Sequence, residues 1–472
     1  MSSPNIVYLM FDQAKAAAMS FLGNPDLSMP FCDQLAAKGW VFEQAYSAAP
    51  ICTPSRASVH TGMYPQVHGV TCHQNRAPFN LPQLAEVFQQ AGYYTAVAGH
   101  YEPERNLSRG WHEQCPMHER GPLFQSWQAH KNSGRKDVAW SSGAIDCSAS
   151  EGNSALLTDR ALRMIEQAEA SGRPFFFHLC YDDPHPPYFV PPPYDRMYDP
   201  ASLPLPKKGN PSELPPWQKR AREEVGSDKA TDEDVLRALA TYYGMIRYID
   251  DEMARFMNAM KQRGLLNNTW IVLGSDHGDY TGEKALFNRS ESLYGCLLHV
   301  PLIIVPPDNS SEPAPCRISD LVSTVDLFPT LLAMAGIDPP VNQGRDLLSW
   351  IRAGHSSPIH EEIFAQIGDY HGYLGTSWPS GMPASGRHRS LTHSIRNNAR
   401  SYIIDPDNGD EAYDLLEDPD ELRSLTNPGS APLSPEFDDL KGRLHTFQKE
   451  CEQLREELEI VQGDRGFEAG WE

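Results

Sequence analysis

Short apolar runs rich in β-branched and aromatic residues recur along the chain, at Asn5–Phe11, Tyr93–Ala98, Pro174–Tyr181, Thr269–Gly274 and Leu302–Val305. Between them lie stretches of helical period such as Ser154–Ala170 and Thr231–Arg263. This alternation predicts an α/β fold, a large mostly parallel central sheet sandwiched by helices. Such sheets bind ligands beyond the carboxyl ends of their strands, so residues just after a strand matter most. A smaller part is expected after the helix containing Asp326–Thr330, where Ser401–Asp405 and Tyr413–Leu415 predict a small antiparallel sheet. Phe437–Gln462 reads as a charged, leucine-bearing helix that packs on its own chain or on a neighbouring subunit. The expected division is an N-terminal domain over 1–355 and a C-terminal subdomain with a helical tail over 356–472. The proline-rich stretch Pro184–Trp217 forbids long helices and reads as an irregular excursion.

With 472 residues, 40% of them hydrophobic, the chain can bury one large core and a smaller appendage. The first apolar run is too short to span a bilayer and lacks the basic flank of a secretory signal, so a cytoplasmic location is expected. Lys and Arg total 40 against 62 Asp and Glu, a net charge of −22. That excess repels nucleic acid and anionic membranes and excludes both as partners. An anionic substrate therefore has to meet a local positive site. Nine cysteines without a CxxC pair fit reduced thiols better than a disulfide or zinc framework.

Asp12 and Gln13 follow the first expected strand, and Asp276 and His277 follow the strand Thr269–Gly274. If these strands are neighbours, two carboxylates, an amide oxygen and an imidazole converge, a mostly oxygen set suited to Ca²⁺, Mg²⁺ or Mn²⁺. An Asp in such a place also commonly caps the next turn. Cys52 precedes Pro54 and Ser55, a helix-starting pattern that would set its side chain beside free backbone N–H groups. Arg56, one helical turn on, is placed to reach back toward it.

The stretch Cys52-Thr53-Pro54-Ser55-Arg56, followed by Thr61-Gly62, resembles the sulfatase signature with one added residue before its Thr-Gly. Further motifs agree in order: Pro184–Pro187, Ser275–Asp279, Val300–Ile303 and Tyr413–Asp420. The chain resembles type I sulfatases of the alkaline phosphatase superfamily, which implies an alkaline phosphatase-like fold and metal- and formylglycine-dependent hydrolysis of small anionic esters. By matched position, Asp12, Gln13, Asp276, His277 and modified Cys52 would hold one divalent metal, with Ca²⁺ expected and Mn²⁺ or Mg²⁺ as alternatives. Arg56 would support the nucleophile and His185 would face the ester. The resemblance implies that a formylglycine-generating maturation enzyme oxidises Cys52, and that the hydrated aldehyde attacks the sulfur or phosphorus.

The chain departs from its family at several points. Many sulfatases carry Gly-Lys-Trp-His where this sequence reads Gly99-His100-Tyr101-Glu102. A fixed cation thus becomes a histidine of pH-dependent charge, and a histidine becomes a carboxylate. Arg289 takes the place of a second family lysine, keeping the charge in a more rigid fork. Asn75 resembles a substrate-facing residue of phosphonate monoester hydrolases in the same superfamily. Three readings follow: a sulfuric ester hydrolase, a phosphonate monoester or phosphodiester hydrolase, and a non-catalytic metal- or anion-binding relative. His100, Glu102 and Arg289 are the expected discriminators. His68, His73 and His112 could line the cleft, but histidines near strand ends more often satisfy local hydrogen bonds, so they stay outside the expected core site. The tail and the long excursions suggest a homo-oligomer.

Overall fold

A computed structural model describes residues 3–73, 75–101, 106–116, 140–210, 213–289, 292–368, 390–427 and 429–460. Fourteen strands occur among these residues. They are β1 (Asn5–Phe11), β2 (Trp40–Tyr46), β3 (Tyr94–Gly99), β4 (Glu113–Pro116), β5 (Ser142–Ala144), β6 (Phe175–Cys180), β7 (Tyr188–Val190), β8 (Thr269–Ser275), β9 (Leu302–Val305), β10 (Cys316–Ser323), β11 (Ile363–Ile367), β12 (Thr392–Arg396), β13 (Arg400–Ile404) and β14 (Glu411–Asp414). Eight of them form one sheet in the order β10-β2-β9-β8-β1-β6-β3-β4, in which only β9 runs antiparallel to its neighbours.

The central strands are apolar on both faces because both are covered. In β1, Val7, Leu9 and Phe11 join a core with the helices Asn153–Ala170 and Asp232–Gln262. Ile6, Tyr8 and Met10 face the opposite core, against Leu84–Gln90, Leu327–Met334 and Leu347–Arg352. This is the period-2 arrangement of a strand buried twice. The sequence expectation located five strands of this sheet within a residue or two at their ends, and passed over β2, β4 and β10. Each of those carries polar residues inside it, Glu43 and Gln44 in β2, Glu113 and Gln114 in β4, and Arg317, Ser319 and Asp320 in β10, which dilutes the apolar run.

The antiparallel strands β11-β12-β13-β14 make the expected small sheet. The tail helix Pro435–Glu457 packs on its own chain: Phe437, Leu440 and Leu444 are buried with Ile395, Tyr402 and Ala412 of that sheet. Farther along, Cys451 is buried with Met63, Val67 and Leu81, next to the segment that follows Cys52 and its helix. The excursion after Pro184 contributes β7 and short turns of helix rather than a continuous element. No helix among the described residues is long and apolar enough to cross a membrane.

Because Leu444 is fully buried between helix and small sheet, Leu444→Ala should cost about 2–5 kcal/mol in chemical denaturation without changing oligomeric state. A loss below about 1 kcal/mol together with a smaller particle by light scattering would assign this helix face to a subunit interface instead.

Candidate active site

Four adjacent parallel strands, β8, β1, β6 and β3, deliver the site. Their ends are level, with Phe11 opposite Ser275 and Cys180 opposite both Met10 and Gly99. The residues that follow these ends are therefore side by side: Asp276 and His277, Asp12 and Gln13, Asp182 and His185, and His100. Gly99 permits the last of these. Its φ is +103°, and a Cβ there would lie 1.7 Å from the Cys180 carbonyl oxygen. Gln13 also has φ +69°, an unfavourable conformation for a side-chain-bearing residue. Its backbone N–H offsets this by donating to Asp276 Oδ1 at 3.0 Å.

Cys52 is the first residue of the helix Cys52–Thr61, all of which is buried despite Thr53, Ser55, Arg56, Ser58, His60 and Thr61. Burying so many polar groups requires partners. Ser55 Oγ donates to the Asp276 carbonyl at 2.6 Å, which fixes the helix start against the end of β8. Cys52 Sγ then lies 3.4 Å from Asp12 Oδ1 and 3.2 Å from His277 Nε2. One donor atom from each of Asp12, Cys52, Asp276 and His277 falls within 4.8 Å of the others, and all four residues are buried.

Arg56 serves the carboxylates rather than the sulfur it was expected to reach. Its Nε donates to Asp276 Oδ2 at 3.0 Å, its Nη2 to Asp12 Oδ2 at 3.1 Å, and its Nη1 to the His100 carbonyl. Burial alone would raise the pKa of Asp12, but Arg56 and then His100 outweigh it and hold the carboxyl well below the usual range. His277 is pushed down to about 4, chiefly by burial, so it is a neutral imidazole with Nδ1 at 2.9 Å from the Gly278 carbonyl and Nε2 facing the cluster. Burial pushes the Cys52 thiol well up, against the field of Arg289, so the unmodified thiol is a weak nucleophile.

A second arc centres on Arg289. Its Nη1 donates to Gln13 Oε1 and lies 2.7 Å from His185 Nε2, while its Nη2 lies 3.2 Å from His73 Nε2. A guanidinium only donates, so both Nε2 atoms accept and both rings carry their proton on Nδ1. In His185 that proton points at the Pro186 carbonyl, 2.6 Å away, and in His73 at Thr53 Oγ1, 2.8 Å away. His185 stays neutral because burial and Arg289 both lower its pKa. Gln13 Nε2 donates to Asp279 Oδ2 at 2.6 Å and Asn288 Oδ1 at 2.8 Å, so its amide joins the two arcs.

The sequence expectation missed His73, Asp182, Asp279 and Asn288. His73 was expected to be local, yet it is tied to Thr53 beside Cys52 and to Arg289. His68 does behave locally, bonding Ser58 and Val70, whereas His112 joins Thr95 to Arg173 at 3.2 Å. The Asn75 amide oxygen accepts from Thr71 and Cys72 within its own turn. Glu102 lies outside the described residues.

The sulfatase family model matches residues 4–337, from β1 past the helix Leu327–Met334. The chain belongs to the sulfatase family. It is 28% identical over 468 residues to an arylsulfatase of Clostridium perfringens, with 90% of each chain covered. It is 26% identical to arylsulfatase K of Bos taurus, covering 90% of this chain and 78% of that one. In fold it is similar to the phosphonate monoester hydrolase of Agrobacterium radiobacter, with TM-score 0.76, 21% identity and 96% of each chain covered.

Sulfatases imply a metal and a formylglycine, and this chain's residues fit both. Two buried carboxylates, a neutral imidazole presenting Nε2 and the Cys52 side chain converge, with a single guanidinium against two negative charges. That donor set and its uncompensated charge suit a divalent cation, which supplies charge stabilisation to an anion undergoing transfer. The Cys52 sulfur marks where an oxygen of the modified residue would enter the same donor set.

Removing Arg56 leaves the two carboxylates facing each other. Arg56→Ala should cost about 3–5 kcal/mol in urea denaturation with chelator present, and divalent cation should restore a larger share of stability than it adds to wild type. A loss under about 1 kcal/mol would show that Arg56 does not hold the cluster together. A pH effect follows from Asp183, whose backbone carbonyl receives the Asp12 N–H and whose carboxyl is pushed up to about 7, mainly by burial. The folded chain keeps this proton to about pH 7 while the unfolded chain releases it near 4, so stability falls as pH rises through that window. Asp183→Asn should remove this fall, on the order of a few kcal/mol. Parallel pH profiles for variant and wild type would contradict the assignment.

Proposed function

We propose that this sulfatase-family hydrolase cleaves small sulfuric esters, using a formylglycine derived from Cys52 and one divalent cation, Ca²⁺ in the first instance. The observation that carries this reading is the convergence of Asp12, Asp276 and His277 on Cys52 at the start of a buried helix. Asp12, Gln13, Asp276 and His277 are the proposed metal residues. Arg56 holds the carboxylates in place. Arg289 faces the transferred group with a permanent positive charge, which an anion needs in a chain of net charge −22. His185, neutral and held through Nε2 at 2.7 Å from Arg289 Nη1, is the proposed histidine beside the ester, and it can exchange a proton with the leaving oxygen once Nε2 leaves that contact.

A second reading, phosphonate monoester or phosphodiester hydrolysis, is favoured by one feature. Position 100 carries an imidazole engaged by Asp12 and Asp182 instead of a free ammonium, which lowers the charge presented to an anion. The two readings separate kinetically. With protein coexpressed with a maturation enzyme, kcat/KM for an aryl sulfate should exceed that for an aryl phosphonate monoester. Cys52→Ala should abolish both, by about 10³-fold or more. His100→Lys with Glu102→His should raise the sulfate-to-phosphonate ratio. A wild-type preference for the phosphonate selects the second reading. Fully modified protein inactive on both, yet binding anion tightly, would make the chain a non-catalytic relative.

A further inference from the structure

Asp12 divides its two oxygens between two groups of ligands. Oδ1 faces Cys52 Sγ at 3.4 Å and His277 Nε2 at 3.9 Å, within the cluster already described. Oδ2 points the other way and meets His100 Nδ1 at 2.9 Å, and the same Nδ1 lies 3.2 Å from Asp182 Oδ1. Asp12, His100 and Asp182 thus form a second set whose donor atoms all lie within 4.8 Å of one another.

From this arrangement we propose a second divalent cation site formed by Asp12, His100 and Asp182, with the Asp12 carboxylate bridging it to the first. The proposal rests on the first cation proposed above. The three residues come from the ends of β1, β3 and β6, neighbouring strands whose level ends fix the spacing before any ion arrives. Two carboxylates and one imidazole are a donor set used by Mn²⁺, Fe²⁺ and Zn²⁺, with open positions left for water or substrate.

The charge balance points the same way. Two carboxylates, those of Asp12 and Asp276, share the guanidinium of Arg56, while the third, that of Asp182, is met by the His100 imidazole. Arg56 Nη2 also bonds Asp12 Oδ2 at 3.1 Å, but a carboxylate oxygen has two acceptor directions and can serve both the guanidinium and an ion. His100 Nδ1 faces both carboxylate oxygens, and a cation binding there would displace its proton and take the nitrogen and both oxygens as ligands. Access differs from the first set in a useful way: the side chains of His100 and Asp182 are 29% and 31% exposed, so an ion can enter without opening the core. In this place a cation would restore the positive charge that His100 fails to fix where the family pattern has lysine. Two ions bridged by one carboxylate would sit roughly 4 Å apart, close enough to act on the same transferred group.

Chelated full-length protein titrated with Mn²⁺ tests this directly, with bound metal counted by elemental analysis and the spins read by electron paramagnetic resonance. Wild type should take up two equivalents and give the spectrum of an exchange-coupled pair. Asp182→Asn, at a partly exposed position, should take up one equivalent with an uncoupled spectrum. His100→Lys, which places an ammonium in the same position, should do likewise. Wild type saturating at one uncoupled equivalent would overturn the second site while leaving the first intact. Two equivalents retained in both variants would overturn it by placing the extra ion elsewhere. No bound metal in wild type would overturn both this site and the metal-dependent reading it rests on.

Discussion

Two buried carboxylates held side by side are the constraint on which the rest of the structure depends. Asp12 and Asp276 have no exposed side-chain surface, and their negative charges would repel each other strongly in a medium of low dielectric. Arg56, itself buried, offsets part of that repulsion by bonding both. The pairing is therefore a tension sustained by the fold, and its residual charge is what makes the place a receptor for a cation. The polar helix Cys52–Thr61 is buried along its whole length because its start must reach this pair.

The parallel sheet provides the geometry. Strands running the same way end on the same edge, so residues far apart in sequence arrive together without long loops. Asp12 and Asp276 are 264 positions apart by number, and their strands pair residue for residue from Asn5 with Thr269 to Phe11 with Ser275. Packing on both faces makes these strands rigid, and that rigidity is carried into the site through backbone bonds such as Gln13 N–H to Asp276. The small sheet and tail helix buttress the segment that follows the helix Cys52–Thr61.

The legible part of the sequence was the part whose signal is local. The run from Asn5 to Phe11 ends in Asp-Gln, and the run from Thr269 ends in Ser-Asp-His-Gly, so strand and candidate ligand could be read together. β2 and β10 were not read because their polar residues interrupt the apolar run, and their burial depends on neighbours the sequence does not name. His73 was missed for a related reason: its place is set by Arg289, 216 residues away, and histidine alone carries no such information. Arg56 was placed correctly near Cys52, but which acceptors its guanidinium would choose depended on strand order. Asp182 lay beside a motif already noted, and only the neighbouring ends of β3, β1 and β6 reveal that it faces His100.

Two groups of residues flank a fixed centre: Arg289, with the neutral His185 and His73 accepting from it, on one side, and His100 with Asp182 on the other. The centre itself carries the account, and anomalous diffraction from crystals of the matured protein grown with Mn²⁺ examines it most directly. The account predicts an anomalous peak bounded by Asp12, Asp276, His277 Nε2 and the modified Cys52 side chain. Full Mn²⁺ occupancy elsewhere, with no peak among these residues, would contradict it.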